Sequence, residues 1–231
     1  MILEKIREDI RFQEAFSSCM NCGVCTAICP AAEFYQYDPR VICSIIQSGR
    51  DEEIEKLLRE DTIWYCGQCM SCKTRCPRGN TAGMIITVLR KLSQELGHFA
   101  ESEKGRQQLA VERVIGRNIL NHGYCVHPDI VTYENHPEQG PVWEWYLHHI
   151  EEISAKLGAV YQQETAGALR KIGEKNLDEI RKIFEVTGGT EFFETIEDHS
   201  RKAAGTMGMD FDEEFVTKVY TDNNGSHTRD M

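Results

Sequence analysis

Eight of the ten cysteines fall in two copies of one pattern, C-x2-C-x2-C-x3-C followed by proline. The first copy, CMNCGVCTAICP, begins at Cys19, and the second, CGQCMSCKTRCP, begins at Cys66. Three closely spaced cysteines in a short loop can point their sulfurs at one centre, and the proline ends the loop and removes a backbone donor. Four thiolates around one centre are the ligand set of a cubane iron–sulfur cluster. The repeat therefore predicts two such clusters.

The ligands of the two clusters are expected to come from both motifs. In bacterial ferredoxins with two clusters, the fourth cysteine of each motif binds the cluster of the other motif. This rule predicts a first site of Cys19, Cys22, Cys25 and Cys76, and a second site of Cys66, Cys69, Cys72 and Cys29. Such crossing joins the two halves of the fold through metal, so the apoprotein should fold poorly.

Structural zinc is the alternative for these cysteines. Zinc sites favour two separated C-x2-C pairs, whereas each motif here has four cysteines in a tighter pattern with a trailing proline. We therefore predict two [4Fe-4S] clusters as the cofactors.

Composition and charge limit the class of protein. The 231 residues carry a net charge of -11, which argues against nucleic acid as a partner because phosphate binding needs a basic surface. No apolar run approaches the ~20 residues of a transmembrane segment, and the amino-terminal stretch lacks the apolar core of a signal peptide. We expect a cytoplasmic protein, and in the cytosol ten cysteines favour metal or redox chemistry over disulfides.

The hydrophobic pattern predicts a mainly α protein without strands. Ile2, Ile6 and Ile10 share one face of a helix over residues 2–16, and further helical patterns run through the chain to about residue 204. Residues 102–123 read as one helix that ends at Gly123. The expected domains are a helical cluster-binding domain over 1–122, a helical extension over 123–204, and an acidic, flexible tail over 205–231.

Two segments carry a resemblance to a known family. TIWYCGQCMSCKTRCPRG and the insert DPRVICSIIQSGRDEEIEKLLRED are similar to the C subunit of heterodisulfide reductases, over roughly residues 1–120. The resemblance implies an all-helical dicluster ferredoxin fold with a C-terminal helical extension, and the eight motif cysteines match the ligands of the family. It also implies a relay of electrons between a flavin-containing A-type subunit and a catalytic B-type subunit. No two cysteines are adjacent in this chain, so we do not expect it to perform the disulfide chemistry itself.

The second half of the chain suggests a subtype. GYCVHPDIV and HPEQGPVWEWYLHH resemble the C-type subunit of the heterodisulfide reductase-like complex of sulfur-oxidising prokaryotes, which implies a role in sulfur oxidation. The alternatives are the C subunit of a methanogen-type heterodisulfide reductase and a free-standing dicluster ferredoxin. A scaffold with structural clusters and a sulfur-handling enzyme that uses Cys125 also stay open.

Other residues have bland and sharper interpretations. Cys43 is expected in the core of the insert helix. Cys125, with His122, His127 and His136 near it in sequence, could form a reactive or metal-binding site. Trp143, Trp145 and Tyr146 are expected in an aromatic core, with a subunit interface as the alternative.

Residues that flank the second motif are expected to influence its cluster. Trp64 and Tyr65 should pack over the second site and shield it from water. Lys73, Arg75 and Arg78 form a basic stretch that could offset the charge of the clusters, dock a partner or be only a solvated face.

Overall fold

The computed structural model describes residues 1–133, 136 and 139–222. All regular secondary structure in these ranges is helical. The prediction of a mainly α fold is therefore confirmed. The chain forms two compact units, one built on residues 1–106 and the other on residues 107–221.

The first unit contains nine α-helices and two short 3-10 helices within the described residues. The α-helices are α1 (Ile2–Glu8), α2 (Ile10–Ala15), α3 (Val24–Ala27), α4 (Ala31–Phe34), α5 (Pro39–Ser48), α6 (Asp51–Arg59), α7 (Ser71–Arg75), α8 (Ala82–Glu95) and α9 (Glu103–Arg106). The 3-10 helices span Asp61–Tyr65 and His98–Glu101. The predicted helix over residues 2–16 is divided because Asp9 has extended backbone angles and its side chain accepts a hydrogen bond from the N–H of Arg11.

The core of the first unit surrounds α8. This helix is apolar on most of its surface, and Ile85, Ile86 and Leu89 are completely buried. Helices α2, α5, α6 and α7 pack against it. Because α8 directly follows the second cysteine motif, this packing fixes the position of that motif relative to the helices on either side of the first.

Helix α5 begins and ends where the sequence indicates. The carboxylate of Asp38 accepts hydrogen bonds from the N–H groups of Arg40 and Val41, with Pro39 in the first turn. Gly49, with φ of 72°, ends the helix in the left-handed conformation that glycine adopts without strain. Ile42, Cys43 and Ile46 lie on the buried face, so the prediction that Cys43 is a core residue is confirmed.

The second unit contains the remaining described helices. They are α10 (Gln108–Val111), α11 (Arg117–His122), α12 (Val142–His148), α13 (Ile150–Leu157), α14 (Glu174–Val186), α15 (Gly189–Thr206) and α16 (Glu213–Thr221), and a π-helical turn spans Glu112–Gly116. The single helix predicted over 102–123 is interrupted, although it does end at Gly123, whose φ is 76°.

The boundary between the units differs from the one suggested by the sequence. The sequence placed it after residue 122, but α10 packs on α15 and α16, and α11 packs on α14. These contacts place residues 107–122 with the second unit. A functional division into 1–122, 123–204 and 205–231 stays a prediction.

Part of the region expected to be a tail is folded. Helix α16 lies within 205–231, and its Phe215 and Val219 side chains are each only 1% exposed. Two aromatic or β-branched side chains on one face supply the apolar contact that the acidic composition concealed. Residues 223–231 lie outside the described residues. Among the described helices, none has the length and apolar character needed to cross a bilayer.

Candidate metal centres

Four predicted ligands line one recess in the first unit. Cys19, Cys22 and Cys25 of the first motif face Cys76 of the second motif across about 410 Å³ of empty volume. A single water occupies ~30 Å³ in the liquid, so the recess has room for a much larger group. The recess thus brings together the cysteine set predicted for the first site, including its member from the other motif.

Polar contacts hold the first motif against the rest of the unit. The side chain of Gln47, on α5, accepts the N–H of Cys19 at 2.5 Å and donates to the carbonyl of Cys19 at 3.1 Å. The buried side chain of Asn80 accepts the N–H of Ser17 at 3.0 Å and donates to the carbonyl of Ser18 at 2.8 Å. Because Asn80 follows the second motif, these hydrogen bonds connect the start of one motif to the end of the other.

The two motifs repeat the same backbone geometry. Asn21 and Gln68 both have positive φ, and each donates its backbone N–H to the sulfur two residues earlier, Cys19 or Cys66, over 3.4 Å. A second residue with positive φ follows in each motif, Gly23 in one and Met70 in the other, and a short helix begins after it. Repeated spacing in the sequence therefore gives repeated loops that turn backbone N–H groups toward sulfur.

The cysteines predicted for the second site are also neighbours. Burial raises the pKa of Cys29, and the nearby thiols of Cys66 and Cys69 raise it further. Burial likewise raises the pKa of Cys72, again with contributions from Cys66 and Cys69, while the N–H of Gly83 donates to its sulfur at 3.3 Å. Cys29 therefore lies with the cysteines of the second motif, as the crossing rule expects.

Cys43 lies beside both groups of cysteines. Burial raises the pKa of its thiol, and Cys25, Cys19, Cys72 and Cys76 raise it further. Its neighbours thus include members of each predicted site, and Cys43 also lines the recess of the first site. The two groups share this part of the core.

An aromatic group stands beside the second set of cysteines. The rings of Tyr65 and Tyr35 are stacked with centroids 4.7 Å apart, and Tyr37 meets Tyr65 edge-on at 6.3 Å. Arg90 lies over the ring of Trp64 at 5.3 Å. Trp64 and Tyr65 pack against the same core cluster as Cys66 and Cys72, which agrees with the expected shielding.

Several buried donors near the cysteines have no acceptor. Nε of Arg40 is buried and unpartnered, and Arg40 and Arg78 both line the recess of the first site. Near the second site, the hydroxyl of Tyr37 and Nε1 of Trp64 are buried and unpartnered. Unmade hydrogen bonds of buried groups are costly. An anionic, sulfur-rich group would supply both the acceptors and the negative charge that these side chains lack, so the residues fit [4Fe-4S] clusters.

The described residues contain no group of three or more His, Cys, Asp and Glu side chains that converge on the position of a single metal ion. Zinc requires such convergence on one ion. In a cubane, by contrast, each thiolate binds a different iron, so the sulfurs surround a space. The recess lined by four cysteines has that arrangement.

The sequence analysis did not identify Tyr37, Arg40, Gln47 or Arg90 as parts of these sites. Arg90 could have been noticed as a cation in an apolar helix, within MIITVLRKL. Gln47 and Arg40 lie on α5, whose capping pattern was recognised, but the helix had to be docked before their targets could be known. No local signal distinguishes Tyr37.

The basic stretch has an exposed, unpaired part. Lys73 and Arg75 are exposed and have no ion pair within the described chain. Arg78 donates a hydrogen bond to the Ser18 hydroxyl at 3.0 Å. Lys73 and Arg75 flank Cys72 and Cys76, so positive charge is presented next to both predicted sites.

The aromatic residues of α12 do not form a core. No residue of α12 is buried, and Trp145 is 55% exposed. Trp143 donates its indole N–H to the carbonyl of Val131 at 2.6 Å and stacks with Tyr146 at 4.9 Å. The expectation of a buried aromatic core is therefore wrong, because local stacking and one hydrogen bond fix the helix without covering it.

Cys125 is exposed, and its neighbouring histidines are engaged elsewhere. His122 and His127 stack with centroids 4.3 Å apart, and burial lowers the pKa of His127. His136 interacts with Tyr220 at 3.0 Å. Within the described residues these side chains do not gather around Cys125.

Comparisons with known proteins agree with the geometry. A family model for the 4Fe-4S dicluster domain matches residues 15–80. The C subunit of the ferredoxin:CoB-CoM heterodisulfide reductase of Methanosarcina acetivorans is 31% identical over 160 residues, which cover 68% of this chain and 60% of the relative. This chain thus spans less than two thirds of that relative.

Two further relatives are matched over more of their length. The C subunit of the ferredoxin:CoB-CoM heterodisulfide reductase of Methanosarcina mazei is 30% identical, over 61% of this chain and 82% of the relative. The second of the iron-sulfur C subunits of the CoB--CoM heterodisulfide reductase of Methanocaldococcus jannaschii is 27% identical, over 74% of each. Together with the dicluster domain, these matches show that the cofactors are two [4Fe-4S] clusters.

Proposed function

Because this chain belongs to the family of heterodisulfide reductase C subunits, we propose that it is the electron-transfer subunit of a heterodisulfide reductase-like complex. The observation that carries the proposal is the recess in which three cysteines of one motif meet the fourth of the other. We assign Cys19, Cys22, Cys25 and Cys76 to the first cluster, and Cys66, Cys69, Cys72 and Cys29 to the second.

The bound clusters supply one-electron oxidation and reduction. The residues of the chain bind them, keep water from their inner sides and leave one edge of each accessible. Cys22 and Cys69, the second cysteine of each motif, are exposed, whereas the other motif cysteines are half-buried. This pattern suits a relay, since each site has an edge at the surface and Cys43 lies next to both.

The partners in this proposal are a flavin-containing A-type subunit and a catalytic B-type subunit. Lys73 and Arg75 offer positive charge close to both sites, in a chain whose net charge is -11. Such a patch steers an acidic partner surface toward the cysteine edges. The disulfide chemistry belongs to the B-type partner, because no two cysteines of this chain are adjacent.

The reaction served by the complex has two candidates. The resemblance of GYCVHPDIV and HPEQGPVWEWYLHH favours oxidation of a carrier-bound sulfur species. The names of the relatives from Methanosarcina and Methanocaldococcus favour reduction of the CoB-CoM heterodisulfide. Both candidates require the same electron relay from this chain.

The test is anaerobic purification of the tagged chain from its own cells. We expect about eight iron and eight acid-labile sulfide per chain, EPR signals of two interacting reduced clusters, and co-purification of a flavoprotein and a catalytic B-type partner. Assays of the complex with the heterodisulfide and with a sulfur-loaded carrier separate the two reactions. Zinc in place of iron and sulfide, or a chain that never co-purifies with a flavoprotein, would overturn the proposal.

A further inference from the structure

The hydroxyl group of Tyr37 is a buried donor without an acceptor in the protein. The side chain is 2% exposed, and the hydroxyl makes no hydrogen bond of normal geometry. Leaving such a group unpaired costs roughly 1–3 kcal/mol. A tyrosine that only filled space could be phenylalanine without this cost, so the hydroxyl needs an explanation.

The ring of Tyr37 is held in one orientation. It meets the ring of Tyr65 edge-on, with centroids 6.3 Å apart and an interplanar angle of 87°. Tyr65 is itself stacked on Tyr35 at 4.7 Å. The backbone N–H of Tyr37 also donates to the carbonyl of Tyr35 at 2.8 Å. The hydroxyl therefore cannot swing out to water while these contacts persist.

The groups that face the hydroxyl are sulfur atoms and one cation. It approaches Cys66 Sγ, with Cys29 and the guanidinium of Arg90 nearby. An arginine side chain only donates, and Arg90 already donates to the carbonyls of Ile63 at 2.8 Å and Cys66 at 2.6 Å. Sulfur is therefore the acceptor left for Tyr37.

We propose that the Tyr37 hydroxyl donates a hydrogen bond to Cys66 Sγ when the second cluster is bound, and that this bond raises the reduction potential of that cluster relative to the first. The inference rests on the ligand set assigned to the second site in the proposed function. Reduction adds an electron to an anionic cluster, so a donor to its sulfur stabilises the reduced form more than the oxidised form. The residues that line the recess of the first site include no tyrosine, so the effect is specific to one cluster.

The substitution Tyr37→Phe tests the proposal because it removes the donor and keeps the ring. In the anaerobically purified holoprotein, redox titration followed by EPR should show one of the two midpoint potentials lowered. We expect a shift of roughly tenfold in the reduction equilibrium, which is about 59 mV for one electron. The other midpoint should not move, and the iron content should stay at about eight per chain.

Tyr35→Phe is the matched control. It deletes a hydroxyl from the neighbouring ring of the same stack, and that side chain is only half-buried. Unchanged potentials in the control and one lowered potential in Tyr37→Phe support the proposal. Equal shifts in both variants, or no shift in Tyr37→Phe with all iron retained, overturn it.

A second measurement covers loss of iron from Tyr37→Phe. Replacement of Tyr37 by 3-fluorotyrosine keeps the hydroxyl and makes it a stronger donor, so the same midpoint should rise. An unchanged midpoint in this variant contradicts the proposal. Failure of the proposed function looks different, because the unmodified chain would then lack eight iron and eight sulfide or would not join a flavoprotein.

Discussion

Arg90 donates a hydrogen bond of 2.6 Å from its guanidinium to the backbone carbonyl of Cys66. A second bond, from Nε, reaches the carbonyl of Ile63 at 2.8 Å. The side chain rises from α8 and spans the 3-10 helix Asp61–Tyr65 to reach the first cysteine of the second motif. Within the described residues no carboxylate pairs with it, so it brings an uncompensated positive charge toward the second site.

Substitution of Arg90 should weaken the second motif. Arg90→Met leaves both carbonyls without their donor, and we expect a loss of about 2–3 kcal/mol in the free energy of unfolding. Arg90→Lys should recover part of this loss, because an ammonium can reach one carbonyl. The measurement is the guanidinium midpoint for bleaching of the cluster absorbance under anaerobic conditions.

The control is Lys91→Gln on the next residue of α8. Lys91 is exposed and pairs only with Glu95, so its loss should change stability by less than about 1 kcal/mol. Equal midpoints for Arg90→Met and Lys91→Gln would mean that Arg90 does not secure the motif.

Pairs of cysteine substitutions should reveal the crossing of the motifs. If Cys22 and Cys76 bind one cluster, Cys22→Ala and the double variant Cys22→Ala/Cys76→Ala should each keep about four iron per chain. If Cys69 and Cys76 bind different clusters, Cys69→Ala/Cys76→Ala should keep about none. Iron and acid-labile sulfide analysis of the purified variants decides between these outcomes.

Two further cysteines serve as controls in the same experiment. Cys43→Ala and Cys125→Ala should retain about eight iron, since neither belongs to a motif. The assignment fails if Cys22→Ala/Cys76→Ala loses all iron while Cys69→Ala/Cys76→Ala retains half.

Charge reversal in the basic patch should slow partner association. In Lys73→Glu/Arg75→Glu we expect the association rate with the flavoprotein partner to fall about tenfold at low salt, with the difference shrinking near 0.5 M salt because screening shortens the range of the field. Stopped-flow mixing of the two purified proteins measures this rate. The clusters themselves should keep their EPR signals.

Lys175→Glu/Lys182→Glu is the matched control, with the same charge change on exposed positions of α14. Both variants add the same negative charge, so a specific patch predicts slower association only in the first. Equal slowing in both would indicate general repulsion and remove the docking role of Lys73 and Arg75.

Gly105 should tolerate no side chain. A Cβ atom there would overlap the carbonyl oxygen of Phe99, which is backbone and cannot move aside. We expect Gly105→Ala to lower the free energy of unfolding by about 2–3 kcal/mol.

Gly205 provides the comparison for this substitution. It lies near the end of α15 with nothing close to its Cβ position, so Gly205→Ala should stabilise the helix by roughly 0.5–1 kcal/mol. Thermal unfolding of both variants, followed by circular dichroism, gives the two signs. A Gly105→Ala protein as stable as the unmodified chain would contradict the packing around Phe99.

The sequence by itself determined the features that depend on short spacing. Eight cysteines in two identical patterns predicted the clusters, and the loops of Asn21 and Gln68 repeat because the local residues that form them repeat. Asp38, Pro39 and Gly49 marked the ends of α5 through local hydrogen bonding and backbone preference. The mainly α class followed from the same local periodicity.

Only the tertiary structure decided what meets across distance. It brought Cys76 into the recess of the first motif and Tyr37 and Arg90 to the second, because those meetings depend on how α5 and α8 dock rather than on neighbouring residues. It also buried Phe215 in a region whose acidic composition suggested a loose tail, and it exposed Trp145, which its composition placed in a core. Burial is a property of the partner surface, and a chain does not display its partner surfaces until it is packed.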